Sequence, residues 1–164
     1  MQELNDMRGR LVLRLSDRDG RVIHEQRPHN RIVRTGRQLV AQLFGGVAGG
    51  TPPARVTHMA VGTNATPAAD DQTALLGERV PRKPISDVSY VDFDETVDGK
   101  TTRRVRATLK AIFDFDDAND PAVPLREAAI FTDAAGGVMY NRVVFEPVTK
   151  TKAFKLTLLW DITF

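Results

Sequence analysis

Alternation of apolar and polar residues dominates the sequence and predicts a protein built mainly of β-strands. From Phe154 to Phe164 every second residue is apolar. The stretch from Val105 to Phe113 alternates in the same way, which places five apolar side chains on one face of a strand. Leu11, Leu13 and Leu15 repeat the pattern near the start of the chain. A period of two residues is typical of a strand with one buried face.

Turn residues separate the alternating segments. Asp17 to Gly20 predicts the tight turn of an N-terminal hairpin, because Asp and Gly tolerate the backbone angles of a sharp reversal. Asp98-Gly99 predicts a second, two-residue hairpin turn. Residues 30–33 are expected to form a short extended piece. The pattern as a whole predicts about eight strands, over residues 11–16, 21–26, 56–61, 85–97, 101–115, 125–131, 138–145 and 153–164.

One segment has helical rather than strand periodicity. Between Gly36 and Phe44 the apolar residues Leu39, Val40, Leu43 and Phe44 fall on one face of a helix. Thr35 is expected to cap its start by accepting a backbone N–H bond, and Gly45-Gly46 is expected to end it. The sequence therefore predicts one short helix near residues 35–44.

Segments rich in Gly, Pro and Asp predict long loops over residues 45–55, 62–84 and 114–124. Residues 71–78, inside the second of these loops, are expected to form at most one or two helical turns. Pro81 and Pro84 argue against a regular central strand there, because proline cannot donate a ladder hydrogen bond.

These elements predict a mainly β fold, an antiparallel β-sandwich that includes a jelly-roll-like arrangement among its variants. Two parts are expected along the chain. Residues 1–29 form an N-terminal hairpin or arm, packed on or attached to the main domain. Residues 30–164 form the β-sandwich domain.

Composition excludes several classes of protein. A chain of 164 residues fits one domain. The absence of cysteine excludes disulfides, thiolate metal sites and cysteine nucleophiles. The net charge of +2 is small, and no apolar run approaches the ~20 residues of a membrane helix. We therefore expect a soluble protein of a reducing compartment, with no membrane partner.

Catalytic motifs are not found in the sequence. None of the serines lies in a G-x-S-x-G motif, and no histidine pair has the spacing of a helical zinc site. A pair of carboxylates brought together only by the fold stays open. We expect no enzyme activity and no cofactor, and we interpret the histidines as ordinary surface or edge residues. These residues are Ser16, Ser86, Ser89, His24, His29 and His58.

Two charged clusters allow more than one interpretation. The acidic cluster Asp114, Asp116, Asp117 and Asp120 is either a solvated strand end, which we favour, or a calcium site. The basic cluster Arg103, Arg104 and Arg106 is interpreted as a charged sheet face or edge rather than a nucleic-acid site, because interleaved aromatic residues are missing.

Exposed aromatic residues would indicate carbohydrate recognition. The candidates with a polar tip are Trp160, Tyr90 and Tyr140. Trp160 lies in the alternating register of the last strand, so we expect it in the core.

The order of several short segments carries a resemblance to a known group of proteins. The segments are Asn30-Arg31-Ile32-Val33, Leu43-Phe44-Gly45-Gly46, His58 to Thr63, Asp71 to Leu75 with Glu78 and Arg79, Leu125 to Phe131, Gly137 to Arg142 with Pro147 and Lys150, and Leu158 to Phe164. Over residues 30–164 the chain resembles small virion proteins of tailed bacteriophages, of the tail or tail-fibre-associated type. Such proteins also occur in phage-like contractile injection particles.

The resemblance implies a non-enzymatic structural component of a virion, in the tail, baseplate or neck. It implies assembly in the host cytoplasm, other virion proteins as partners, and a homo-oligomer in a symmetric ring or array. No small-molecule substrate and no nucleic acid is expected. Two alternatives stay open: a capsid decoration protein, and a carbohydrate-binding module for the host surface.

Overall fold

A computed structural model describes residues 7–164 of the chain, which form ten strands and one helix. In chain order these are β1 (Arg8–Ser16), β2 (Val22–Gln26), β3 (Arg31–Ile32), α1 (Arg34–Gly45), β4 (His58–Gly62), β5 (Glu78–Pro84), β6 (Asp87–Val97), β7 (Lys100–Phe113), β8 (Leu125–Phe131), β9 (Met139–Val148) and β10 (Lys155–Thr163). One five-stranded sheet has the order β2-β1-β10-β7-β6, and the other has the order β3-β9-β8-β4-β5.

The two antiparallel sheets pack together, which confirms the predicted β-sandwich. The alternating residues of β1, β7 and β10 meet those of β4, β8 and β9 in one apolar cluster. Trp160 is fully buried at its centre, as the register of β10 predicts. The largest fully buried apolar side chains are Trp160, Phe113, Phe131, Leu11, Leu13, Met59, Leu125, Ile130, Met139 and Leu156.

Both predicted hairpin turns are confirmed. The Gly20 N–H donates to the Asp17 carbonyl between β1 and β2. Asp98 and Gly99 have φ angles of 51° and 76° between β6 and β7, as a two-residue turn of this kind requires.

The N-terminal hairpin is part of the sandwich core. β1 lies between β2 and β10 and pairs with β10 along its whole length, from Arg8 opposite Thr163 to Ser16 opposite Lys155. Leu11 and Leu13 belong to the central apolar cluster. Of the predicted arm over 1–29, residues 1–6 lie outside the described residues. The remainder contributes the interior strand β1 and the edge strand β2.

The helix α1 is present where predicted, but Thr35 does not cap it. The helix begins at Arg34, one residue earlier, and no side chain caps its start. The Arg34 N–H donates instead to the Asp70 carbonyl at 2.9 Å. Thr35 lies in the first turn and donates its hydroxyl proton to the Met139 carbonyl at 2.7 Å. Gly46, with a φ angle of 74°, follows the last turn, as expected.

Only part of the predicted apolar face of α1 is buried. The first turns lie against β9 so closely that a Cβ on Gly36 would overlap the Tyr140 carbonyl oxygen. Leu39 is buried there, whereas Leu43 in the last turn is half exposed and Phe44 is 97% exposed. The apolar face of the helix therefore extends beyond the part of it that the sandwich buries.

At the ends of two alternating segments, the apolar residues of the inward face are not buried. Val105 and Phe164 were expected in the core, but both are substantially exposed. They face each other where the sheet narrows: the Phe164 N–H donates to the Val105 carbonyl at 2.9 Å, and β10 reaches no further along β7. The opposite sheet provides no cover at this point.

The segment 63–84 differs from the expected loop with helical turns. Residues 71–78 form no helix, because side chains from elsewhere bind their backbone N–H groups. Residues 78–84 form β5, which the sequence interpretation missed. β5 is an edge strand, which agrees with the argument that its prolines exclude a central position.

Leu109 offers a test of the register of β7. Its side chain is 7% exposed and belongs to the central cluster, whereas Lys110 points to the other side of the sheet. We expect Leu109→Asp to lower the free energy of unfolding by about 3–4 kcal/mol, because a carboxylate replaces buried apolar contacts. Urea unfolding measures this loss. Lys110→Asp is the control and should cost no more than about 1 kcal/mol; equal losses would contradict the register.

Candidate assembly surfaces

The hairpin of β6 and β7 continues beyond the rest of its sheet. The two strands pair from Asp87 opposite Lys110 to Val97 opposite Lys100. β10 pairs with β7 only as far as Arg106. Residues 93–104 therefore pair only with each other, and we call them the β6–β7 arm. Its exposed surface includes Val97 and the turn at Asp98-Gly99.

Polar contacts hold the β6–β7 arm in shape. Glu95 binds Arg8 of β1 and Arg104 of β7, and these arginines hold the pKa of its carboxyl below the usual value despite some opposing desolvation. The hydroxyl oxygens of Thr96 and Thr101 lie 2.9 Å apart across the strands. A two-stranded ribbon alone is marginally stable in water. Side-chain contacts within the arm and with β1 thus hold it, whereas its backbone edges pair with no further strand of the described residues.

The predicted basic cluster at 103, 104 and 106 is divided between the two faces of β7, with Arg103 on one face and Arg104 and Arg106 on the other. Arg103 pairs with Asp94 at 3.1 Å, and Arg104 is buried against Glu95 at 3.3 Å. The Arg106 guanidinium lies 4.4 Å from the centre of the Phe93 ring. The three side chains therefore have separate contacts and do not form one continuous basic surface.

A buried carboxylate fastens the loop over residues 63–77 to the sheet that contains β4, β8 and β9. Glu127 of β8 has no solvent exposure. Its Oε1 accepts hydrogen bonds from the N–H groups of Gly77 at 2.6 Å and Asn64 at 3.3 Å, and its Oε2 accepts one from Leu76 at 3.2 Å. A Cβ on Gly62 would collide with this carboxylate.

Arg142 of β9 balances that charge and is also fully buried. Its Nε and Nη2 atoms each lie 2.8 Å from Glu127 Oε2. Its Nη1 donates to the Thr66 carbonyl at 2.8 Å and to Gln72 Oε1 at 3.1 Å. The Glu127–Arg142 pair therefore binds both ends of the loop, and the sequence interpretation assigned neither residue a role. A charged residue inside an apolar strand, such as Glu127 in Leu125–Phe131, was the available signal.

The acidic loop after β7 encloses a lysine from its own chain. The Lys150 ammonium is 1% exposed and donates to the Asp114 carbonyl at 2.8 Å, Asn119 Oδ1 at 3.0 Å and the Thr151 carbonyl at 3.2 Å. Burial lowers the pKa of Lys150, and the charges of nearby aspartates, Asp117 first among them, oppose that shift. The positive charge that this loop surrounds is therefore the ammonium group of Lys150.

The four aspartates of the loop face basic side chains of neighbouring segments. Within residues 7–164, no three His, Asp or Glu side chains lie close enough together to share a metal ion. The ion pairs are Asp117–Lys83 at 2.6 Å, Asp120–Arg79 at 3.1 Å, Asp116–Lys152 at 3.9 Å and Asp114–Lys155 at 4.0 Å.

Acid is expected to loosen this loop. Burial raises the pKa of Asp117, but its hydrogen bonds with Lys83 and the Asp114 N–H and the nearby positive charges outweigh that and leave it below 3.8. The Ala122 N–H and Arg79 lower the pKa of Asp120. Stability from both carboxylates is complete above the ordinary aspartate value and is lost as the pH falls through their lower folded-state values.

Thermal unfolding near neutral pH, at about pH 5 and at about pH 3 measures this effect. Asp117→Asn should lower the unfolding temperature at neutral pH and lose less than the native chain between pH 5 and pH 3. A variant whose acid sensitivity equals that of the native chain would contradict the assignment.

The histidines and serines singled out in the sequence are dispersed over the sandwich. His24 lies on β2 beside Gln26, and His58 lies on β4, in the other sheet, with its Nδ1 atom 2.8 Å from Thr57 Oγ1. His29 forms an isolated bridge with Arg10. Ser16, Ser86 and Ser89 lie on β1, just before β6 and on β6.

The aromatic candidates do not share one exposed face. Trp160 is fully buried, and its indole N–H donates to Asn30 Oδ1 at 3.1 Å. Tyr140 is buried as well, whereas Tyr90 on β6 is 71% exposed. The three therefore form no common aromatic platform.

Comparison with known proteins gives no match: no family model, no curated protein and no solved structure is significantly similar to this chain. No helix among the described residues is long and apolar enough to cross a lipid bilayer.

Proposed function

We propose that this protein is a non-enzymatic structural component of a tailed-phage virion, located in the tail, baseplate or neck. It assembles with further copies or with other virion proteins in a symmetric ring or array. The observation that carries this proposal is the β6–β7 arm, a strand pair that extends beyond β10, leaves its outer backbone edges without a neighbouring strand among the described residues and exposes Val97. The segment order that resembles small virion proteins supports the location.

Buried polar contacts hold two long loops rigidly against the β-sandwich from which the arm projects. The Glu127–Arg142 pair fixes the loop over 63–77, and Lys150 fixes the loop over 114–120. Two of the three long loops, expected to reach neighbouring subunits, are thereby fastened to the sandwich. Residues 46–55 stay largely exposed and, with the arm, form the projecting parts.

The arm also determines what chemistry a partner needs. β6 is the outermost strand of its sheet, so one backbone edge is available to a strand from another molecule. Its acidic residues are Asp87, Asp92, Asp94 and Glu95. Such charges discourage indiscriminate strand pairing. Asp92 and Asp94 are paired with Arg103, and Glu95 with Arg8 and Arg104, so a partner strand needs an open edge of its own rather than a particular charge.

Purified virions provide the test of the proposed structural role. Mass spectrometry of purified virions should find the chain, and electron microscopy should locate it in the tail, baseplate or neck. Absence from mature particles overturns the proposal. Copies on the head lattice would instead make it a capsid decoration protein, and glycan-array binding would favour the carbohydrate-binding alternative, which the burial of Trp160 and Tyr140 disfavours.

Shortening the arm tests its role separately. Replacing residues 96–101 by Asn-Gly joins Glu95 to Thr102, which are directly opposite each other, and keeps the contact between Glu95 and Arg104. We expect this variant to fold and to be lost from particles. A matched deletion within residues 47–52 controls for the shortening of an exposed segment.

A further inference from the structure

An apolar groove opens between α1 and the sheet that contains β6, β7 and β10. It encloses about 230 Å³. Among the residues that the structure describes, Arg55 is the only charged side chain of its wall. The wall includes Leu43 of α1, Tyr90 of β6, Ala107 and Leu109 of β7, and Phe164. A cavity of about 150 Å³ can hold a benzene molecule, so this groove has room for an aromatic side chain.

One residue of the groove wall has a polar group without a partner among the described residues. Tyr140 lines it and is 5% exposed, and its hydroxyl has no hydrogen-bond partner within residues 7–164. Buried phenol hydroxyls are normally hydrogen-bonded. Burial raises the pKa of this phenol, so it remains a donor at ordinary pH. An occupant of the groove that brings an acceptor would satisfy it.

The chain carries a side chain of the required shape at the rim of the groove. Phe44 is almost fully exposed at the end of α1, directly after Leu43, which lines the groove. The last carbonyl groups of a helix lack partners within it. In α1 the Gln42 carbonyl accepts the Gly46 N–H. The carbonyl groups of Phe44 and Gly45 come next in the chain, beside the Phe44 side chain. An inserted Phe44 would therefore bring hydrogen-bond acceptors with it.

We infer that two copies of this chain pair through this face, with Phe44 of each copy seated in the groove of the other. A two-fold arrangement needs one surface that carries both the projecting and the receiving feature, and this face carries both. Its near absence of charge allows identical surfaces to approach without strong repulsion. The inference rests on the self-assembly part of the proposed function and names the surface that performs it.

Sedimentation of the full chain over a range of concentrations tests the pairing. The native chain should show a monomer–dimer equilibrium, and Phe44→Ser should raise the dissociation constant about ten-fold or more, as removal of a buried aromatic anchor does. Ile23→Ser is the matched control, because Ile23 is a half-exposed apolar residue of β2 that does not line the groove. Its dissociation constant should equal the native value.

Cross-linking identifies the contact itself. The chain has no cysteine, so engineered thiols pair unambiguously. Tagged Gly45→Cys and untagged Tyr90→Cys are mixed under mild oxidation and should form a mixed disulfide dimer. Gly45→Cys keeps Phe44, and a Cβ at this position has no atom within 4 Å. Ile23→Cys mixed with Tyr90→Cys should form little.

A native chain that stays monomeric overturns the pairing, and so does a Phe44→Ser variant that dimerises as the native chain does. Neither result affects the proposed place in the particle, which mass spectrometry of virions decides independently.

Discussion

A chain that lacks residues 1–26 is expected not to fold. The deletion removes β1, whose Leu11, Leu13 and Leu15 are buried in the central cluster, and exposes the edge of β10 along its whole length. Burial of one leucine contributes about 1.5–3 kcal/mol, and a domain of this kind has a net stability of only about 5–15 kcal/mol. Loss of three leucines and a strand ladder is therefore comparable with the entire stability.

Circular dichroism and amide dispersion in an NMR spectrum measure the outcome. The truncated chain should show neither a cooperative thermal transition nor dispersed amide signals. A synthetic peptide of residues 7–26 added in trans is the matched control, and it should restore both, because β1 and β2 form one hairpin whose ladder partner in the rest of the sheet is β10. A truncated chain that folds by itself would show that the hairpin is an accessory arm.

The strands could be predicted from the sequence because burial on one face imposes a period of two. This signal is strong wherever one sheet covers the other, as at Leu158 and Trp160. It misled at Val105 and Phe164, because periodicity records which face a residue lies on but not where the opposite sheet ends. Phe44 illustrates the same limit on a helix, since its position on the apolar face says nothing about where the supporting sheet stops.

The polar interior could not be predicted, because its partners are far apart in the sequence. Glu127 receives hydrogen bonds from residues 50 to 63 positions away, and Lys150 binds the carbonyl of a residue 36 positions away. A local pattern shows a charge in an unusual place but not which charge compensates it. The acidic cluster at 114–120 is an example, since its compensating lysine lies beyond two further strands.

Three segments that carry the resemblance to small virion proteins meet at one point of the fold. Gly62 ends β4, Glu127 lies in β8, and Arg142 lies in β9. The carboxylate needs the space that a side chain on residue 62 would fill, and the guanidinium needs the carboxylate. These three short segments are thus parts of one buried polar contact.

Arg142→Met is expected to lower the free energy of unfolding by about 3–5 kcal/mol, because it leaves the carboxylate of Glu127 buried without a counter-charge. The thioether fills part of the space of the arginine, so the loss reports on charge more than on volume. Urea unfolding measures the global effect. Hydrogen exchange of the Leu76 and Gly77 amides, which donate to Glu127, should rise in parallel.

The same loop offers a matched exposed pair. Arg37 binds both oxygens of Asp70 at 2.8 and 2.9 Å, but both side chains are about half exposed. Arg37→Met should therefore cost no more than about 1 kcal/mol. The double variant Glu127→Gln with Arg142→Met should be more stable than the sum of the two single losses predicts, because the second change removes the charge that the first left unpaired. Additive losses, or equal losses for Arg142→Met and Arg37→Met, would show that the buried pair does not secure the loop.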